Sequence, residues 1–267
     1  MSTSYKDKFQ LTKEENVFIA KRNVIDSIYT ESRLEGIAVT FPETKSIYEG
    51  ANVARLSVED VVKINNLKHA WNFILDTVDY PLDLRYVRQL NQEIGSGIVP
   101  RSGELRTTGV SIGGTNWTPE IPDYEKVEKR ISEIMDADVT TTDRALTLML
   151  ELMRAQIFYD GNKRVAQLAA NQVMIQNGAG IINIPVAQHE LFYNMLVEYY
   201  ETNDSRKIKE MLYNTSIEGI EFKIDIKQPE INREDFYKAV QPKFHQTENK
   251  GMEKKRINHM PGVDLDK

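Results

Sequence analysis

Residues Thr142 to Asn177 read TDRALTLMLELMRAQIFYDGNKRVAQLAANQVMIQN, and the apolar spacing in this stretch decides the fold. Ala145, Leu148, Met149, Leu152 and Met153 recur at the i, i+3, i+4, i+7, i+8 interval of a buried helix face. Leu146 and Leu150 widen that face, which predicts a helix enclosed on most sides. Val165, Leu168, Ala169 and Val173 repeat the pattern, while Ala166 and Ala170 let a neighbouring helix approach closely. Between the two helices runs Phe158-Tyr159-Asp160-Gly161-Asn162-Lys163-Arg164. Gly161 permits a positive φ. The amides of Gly161, Asn162 and Lys163 then fall at a helix N-terminus, where unbonded N–H groups and the helix dipole attract anions. Lys163 and Arg164 add cations that pair with phosphate, and Asp160 offers a hard oxygen suited to Mg²⁺. Together these residues describe a site for a metal-bound polyphosphate. They also describe an ordinary turn with a solvated basic start, and by themselves they leave both readings standing.

The rest of the chain bounds the problem. Its 267 residues are 40% hydrophobic and 28% charged, an ordinary globular composition sufficient for one large domain with appendages. A formal net charge of −6 argues against broad nucleic-acid binding. The absence of cysteine excludes disulfides, thiolate metal sites and a thiol nucleophile, and fits a reducing compartment. No stretch has the length or apolarity of a signal peptide or a membrane span, so the expectation is a cytoplasmic protein without a membrane partner.

Around the central pair, the pattern is mainly α. One helix is expected from Lys13 to Arg33, closed by Glu35-Gly36. A second is capped by Ser57 and carries Ile64, Leu67, Trp71 and Ile74 on its face; a third is capped by Asp83, and a fourth follows Asp123. Residues 98–121 are the one clear β-like region. Two more helices are expected from His189 to about Glu201 and from Ser205 to about Thr215. The domain reading is an N-terminal helical segment over 1–50, a core over 51–216, and a C-terminal extension over 217–267. Residues 1–10 and the end of that extension are polar and read as loosely ordered. His69 reads as a surface or core histidine, since no second His or Cys lies nearby, and His189, followed by Glu190 near a helix start, reads as a capping or surface residue.

The loop resembles the central motif of the Fic (Fido) family, His-x-Phe-x-Asp/Glu-Gly-Asn-Gly/Lys-Arg, at Phe158, Asp160, Gly161, Asn162, Lys163 and Arg164. Two further pieces fall in that family's order. Ser102 to Gly114 resembles its β-hairpin flap, and Leu34-Glu35-Gly36-Ile37 resembles the Glu-Gly part of its inhibitory helix. The resemblance implies a helical bundle around the central helix-loop-helix with a small β-hairpin flap. It also implies ATP or another nucleotide held with Mg²⁺ and a protein target docked at Leu105, Arg106, Thr107, Thr108, Gly109 and Val110. Transfer to a hydroxyl of that target would follow, and a homodimer is compatible with the oligomeric masking common in the family. Glu35 would then compete with the nucleotide's γ-phosphate, or it is simply an exposed residue before a capping glycine. Tyr193, Asn194, Tyr199 and Tyr200 would line the base or pack in the core.

The departures matter as much. Gln156 stands where the family's catalytic His acts as general base, and an amide cannot take that proton near neutral pH. Gln167 replaces the second Arg, and Glu31 stands where the inhibitory motif has Ser or Thr. The Asn-Lys-Arg order resembles the Doc toxins, which phosphorylate. The implied function is nucleotide binding with AMPylation-type transfer impaired or altered. The alternative is a non-catalytic, toxin-antitoxin-like binding or regulatory module that keeps the fold.

Overall fold

The computed structural model describes residues 5–220. Nine helices and one two-stranded sheet form among them. α1 spans Lys13–Leu34, α2 Phe41–Tyr48, α3 Val58–Asp76, α4 Leu84–Gly95 and α5 Tyr124–Met135. The central pair is α6, Thr141–Ala155, and α7, Asn162–Gln176. Then follow β1 Ile181–Ile182, a short 3₁₀ turn, α8 His189–Thr202, α9 Arg206–Thr215 and β2 Ile217–Glu218. The fold is mainly helical, as the apolar spacing predicts.

α7 sits in the middle. Every residue from Arg164 to Ile175 is buried, and α6, α1, α3, α4 and β1 all pack around it. Ala166, Ala169 and Ala170 have no measurable exposure, so backbones approach closely on more than one side. Its buried polar side chains are matched to neighbouring backbone. Asn171 donates to Ile182 O at 2.9 Å and accepts from Ile182 N at 2.7 Å. Gln172 donates to Val78 O at 3.1 Å and Tyr80 O at 3.0 Å. A buried backbone group without such a partner costs about 1–3 kcal/mol, so these amides fix where β1 and the α3–α4 connection lie.

Helix starts follow local chemistry. Thr12, Thr40, Ser57, Asp83, Asp123 and Thr140 each accept a hydrogen bond from an amide of the first turn. α2 has no counterpart in the expectation from periodicity, because eight residues are too short to show a stripe. Its signal is the Thr40-Phe41-Pro42-Glu43 capping box with a proline in the first turn.

Two expectations are corrected. Residues 102–114 contain no strand. The sheet instead pairs β1 with β2, antiparallel, with Ile181 opposite Glu218 and Ile182 opposite Ile217. The reason lies in where the amides of that segment go. Gly103 N donates to the Asn91 side chain at 2.7 Å, Thr107 N to the Tyr159 hydroxyl at 3.0 Å, and Asn116 N to the Glu201 carboxylate at 3.1 Å. Donors taken by side chains of other elements leave no ladder, and Gly109, Gly113 and Gly114 add little strand preference. The segment is a strap laid over the bundle.

Second, residues 5–10 are packed rather than loose. Tyr5 is buried against Tyr213, and Asp7 Oδ1 accepts from Thr142 N at 2.7 Å. Residues 217–218, the first of the expected C-terminal extension, pair with β1. The basic cluster Lys254-Lys255-Arg256 lies outside the described residues.

A candidate phosphate-binding loop

The loop between α6 and α7 is built by backbone conformation first. Gln156 ends α6 in the left-handed region at φ 47°, and Gly161 begins α7 at φ 79°. A Cβ on Gly161 would stand 2.6 Å from Ile94 Cδ1 and 3.4 Å from Asn91 Nδ2. Both the φ and the space therefore require glycine.

Two asparagines brace what lies between. Asn162 Oδ1 accepts from Phe158 N at 2.9 Å, and its Nδ2 donates to Phe158 O at 2.9 Å and Gln156 Oε1 at 3.2 Å. Asn162 thus folds the loop with its side chain and offers an anion only its amide. Asn91 on α4 donates to Asp160 O at 2.9 Å and accepts from Gly103 N, so one buried amide ties the loop and the strap together. Sequence reading missed Asn91, because its role appears only when α4 lies against the loop.

No side chain caps the N-terminus of α7. Amides at such an end remain available to an anion. Around it the charges converge. Glu35, the C-cap of α1, reaches Lys163 Nζ at 3.5 Å and Arg164 Nε at 3.3 Å. The second contact is ionic and lacks hydrogen-bond geometry, since Arg164 Nε has no hydrogen-bond partner. Arg164 Nη2 also donates to Asp160 Oδ2 at 3.1 Å. Lys163 lies 6.0 Å from the Tyr193 ring centroid, and the Tyr193 hydroxyl donates to Leu34 O beside Glu35. Burial, with the negative charge of Glu35 behind it, pushes Tyr193 up to about 12. The Glu-Gly turn that the sequence left open is therefore folded onto the loop.

Gln156 stands at the head of the loop with its amide engaged. Nε2 donates to Met153 O at 2.6 Å, and Oε1 accepts from Asn162. Neither atom is a base. Asp160 is half exposed. No group of three or more metal-type side chains occurs among the described residues. Mg²⁺ commonly takes one or two carboxylates and completes its shell with phosphate and water, so Asp160 fits a metal shared with a phosphate chain but not one held by protein alone.

Arg106, expected on the target-docking flap, is buried and turned inward. Its guanidinium donates to Gln156 O at 2.6 Å, Thr108 O at 2.7 Å, Pro119 O at 3.4 Å, and Glu120 O. Its own amide donates to Ile157 O at 3.0 Å. This side chain holds the strap to the loop and is not free for nucleotide or target. The exposed part of the strap is Thr107–Gly109 and its continuation to Gly114, with Leu105 and Val110 half-buried. Tyr199 and Tyr200 are core residues, whereas Tyr193 and Asn194 face outward. His69 is exposed, and His189 hydrogen-bonds Ile184 O, with burial holding its imidazole below the usual value.

A cavity of about 350 Å³ opens between residues 117–123, α5 and α6. Ala155 and Ile157, on either side of Gln156, line it, but residues 158–164 do not. Of its cations, Arg130 pairs with Glu151 at 3.1 Å and Arg154 lies over the Trp117 ring at 3.5 Å, while Lys126 also lines it. The uncapped helix end and the converging cations lie at the loop instead.

Residues 81–174 match the Fic/DOC family. This stretch holds the loop and the helices on either side of it, α6 and all but the end of α7. The chain's curated relatives include protein adenylyltransferase fic-1 of Caenorhabditis briggsae, 23% identical over 180 residues, covering 63% of this chain and 35% of that protein. Protein adenylyltransferase Fic of Drosophila grimshawi is 23% identical over 184 residues, covering 66% and 38%. The chain thus spans little more than a third of the length of these relatives. Among solved structures, a fragment of Fic-1 from Caenorhabditis elegans superposes with a TM-score of 0.65 at 19% identity, covering 74% of this chain and 62% of that one. A Fic domain containing signaling protein from Bacteroides thetaiotaomicron gives 0.62 at 19% identity, covering 79% and 94%. The Fic-like fold and a distant relation to protein adenylyltransferases follow. Among the described residues, no helix is long and apolar enough to cross a membrane.

Proposed function

We propose that the Asp160–Arg164 loop binds the phosphates of a nucleotide such as ATP, and that Glu35 occupies the same cations while the site is empty of nucleotide. One observation carries this reading: the Glu35 carboxylate bridges Lys163 and Arg164 beside an uncapped helix N-terminus. A carboxylate so placed does what a phosphate oxygen would do, and an incoming phosphate must displace it. Asp160, fixed by Arg164 and Asn91, supplies the protein oxygen for Mg²⁺. When bound, the metal would neutralise phosphate charge. Gly161, Asn162 and Lys163 contribute their amides, and Lys163 and Arg164 their side chains.

Transfer to a protein hydroxyl would be slow with Gln156 at the head of the loop. Loss of a general base typically costs about 10²–10⁴ in rate, while positioning and electrostatics carry most phosphoryl chemistry. Impaired nucleotidyl or phosphoryl transfer to a target laid along Thr107–Val110 is the favoured activity. The second reading, a binding module without catalysis, draws on the same Gln156 amide and its engagement with Met153 O and Asn162.

Calorimetric titration with ATP and Mg²⁺ tests the binding. Glu35→Gly is expected to tighten it about tenfold, within the usual range of coupling between competing groups. Absence of binding in both proteins would defeat the proposal. Labelled ATP with lysate then separates the two activities: label gained only by Gln156→His favours impaired catalysis, and no label with either protein favours the binding module.

A further inference from the structure

The buried face of α1 is unusually polar. Asn16, Ser27, Thr30, Glu31 and Ser32 are all at or below 5% exposure. Asn16 pairs with Gly180, and Thr30 bonds Ser27 O and Asn183, while the Ser27 and Ser32 hydroxyls are buried without a partner among the described residues but carry no charge. Glu31 is not explained. It lies one turn before Glu35 on α1, and only 1% of it is exposed. Its Oε1 accepts a long 3.4 Å bond from Gln167 Nε2 on α7. Among the described residues its Oε2 makes no hydrogen bond of good geometry, and neither does the indole Nε1 of Trp71 on α3, which nonetheless lies close enough to favour the ionised carboxylate as a weak donor. No cation is ion-paired with it. A charged carboxylate left this way in an apolar interior is strongly disfavoured, so the proton stays on. Burial pushes the carboxyl up to about 8, against opposing contributions from Trp71 and Arg164, while nearby Glu35 raises it further.

The position gives this proton a consequence. The charged groups that act on Glu31 are Glu35 on its own helix and Arg164 on α7, which in turn pair with Lys163 and with Asp160 in the loop. Tyr193 and Tyr200 on α8 are held above the ordinary phenol value by burial and feel Glu35. Gln167 and Trp71 contribute dipoles without charge. Arg33, near the end of α1, turns away to Val39 O. With Glu31 neutral, the two carboxylates and two cations at the loop balance. An ionised Glu31 would add an uncompensated negative charge behind Arg164, in a medium that screens it poorly.

We propose that Glu31 is a positioning residue of the anion site: its proton keeps the loop receptive to phosphate, and its ionisation makes the loop reject phosphate by drawing on Arg164 from behind. The proposal rests on the phosphate-binding reading of the loop and adds a proton linkage to it. By that linkage, occupancy of the loop by an anion takes up a proton at Glu31 whenever the free protein has lost it. Gln167 belongs to the same device, since its amide can donate to the neutral acid without supplying a charge that would ionise it.

Sulfate is a suitable probe because it does not itself titrate in the range concerned. Its affinity is measured across pH for the full chain and for Glu31→Gln. From about pH 6.5 to about pH 9 the dissociation constant of the unsubstituted protein is expected to rise about tenfold, a coupling of ordinary size. In Glu31→Gln it should change less than about twofold beyond the common background. Calorimetry in buffers of different ionisation heat should register proton uptake on sulfate binding near pH 8, and this measurement needs no variant. Equal pH slopes in the two proteins, or binding without proton uptake, overturn the role of Glu31 alone. No sulfate binding at any pH overturns the phosphate-binding reading, and the linkage with it.

Discussion

The loop at 156–164 and the strap at 101–121 lie against each other, yet they are held in opposite ways. The loop is braced from within: Gly161 makes its turn, and Asn162 closes it onto Phe158 across four residues. The strap has no internal ladder. It hangs from the buried Arg106 guanidinium and four side chains on other elements, Arg88, Asn91, Tyr159 and Glu201. Local bracing survives loss of any one distant contact. A strap held by a few long-range contacts fails where each contact fails. The loop's shape therefore depends mainly on its own residues, and the strap's position depends on its ties to the loop and the bundle.

Four substitutions would break that contrast, and pH would sharpen it. Arg106→Met strips the strap of its four carbonyl contacts with Gln156, Thr108, Pro119 and Glu120. Since a hydrogen bond to a charged group contributes about 1.5–3 kcal/mol, the net loss should be about 4 kcal/mol in urea unfolding. Limited proteolysis should then cut the strap first, and cleavage elsewhere at the same rate would refute the assignment. Gly161→Ala combines a disfavoured φ with a contact on Ile94. It should cost about 3 kcal/mol and abolish anion binding. Wild-type melting would contradict the geometry.

Asn91→Ala cuts an α4 side chain that bonds both loop and strap. A loss of about 2 kcal/mol is expected, with faster amide exchange at Gly103. Exchange unaltered there would place the tie elsewhere. Glu201→Gln weakens an exposed anchor at Thr115 and Asn116. It should change stability by less than about 0.5 kcal/mol while loosening the far end of the strap in hydrogen exchange.

The pH test concerns Glu31, whose folded-state value is raised to about 8. The folded protein then holds a proton that the unfolded chain releases above its ordinary value of about 4.5. Stability from this group is complete below that point and declines as pH rises toward 8. Glu31→Gln should flatten the decline in thermal unfolding and leave the protein more stable at pH 8. Parallel curves would show that the carboxyl is not neutral in the folded state.

Much of this was legible beforehand where the signal is local. The apolar stripes placed α6 and α7, and the cap residues Ser57, Asp83 and Asp123 placed the starts of α3, α4 and α5. The Asp160–Arg164 chemistry was readable because its glycine, amides and cations lie within a few residues of each other. The hairpin expected at 102–114 failed because alternation shows which residues could form a ladder, not where their amides go. α2 was missed because a capping box over eight residues carries no periodicity.

By itself the sequence determined the helical bundle, the loop's charge and the want of an imidazole at Gln156. These depend on periodicity, on glycine's freedom and on the chemistry of one amide. Tertiary structure alone decided that Glu35 reaches Lys163 and Arg164, that Arg106 faces inward, and that Glu31 is sealed beneath Gln167. Those outcomes depend on how α1, α4 and the strap pack around α7. Residues more than a hundred positions apart then share one low-dielectric pocket, and no spacing along the chain encodes the distance between them.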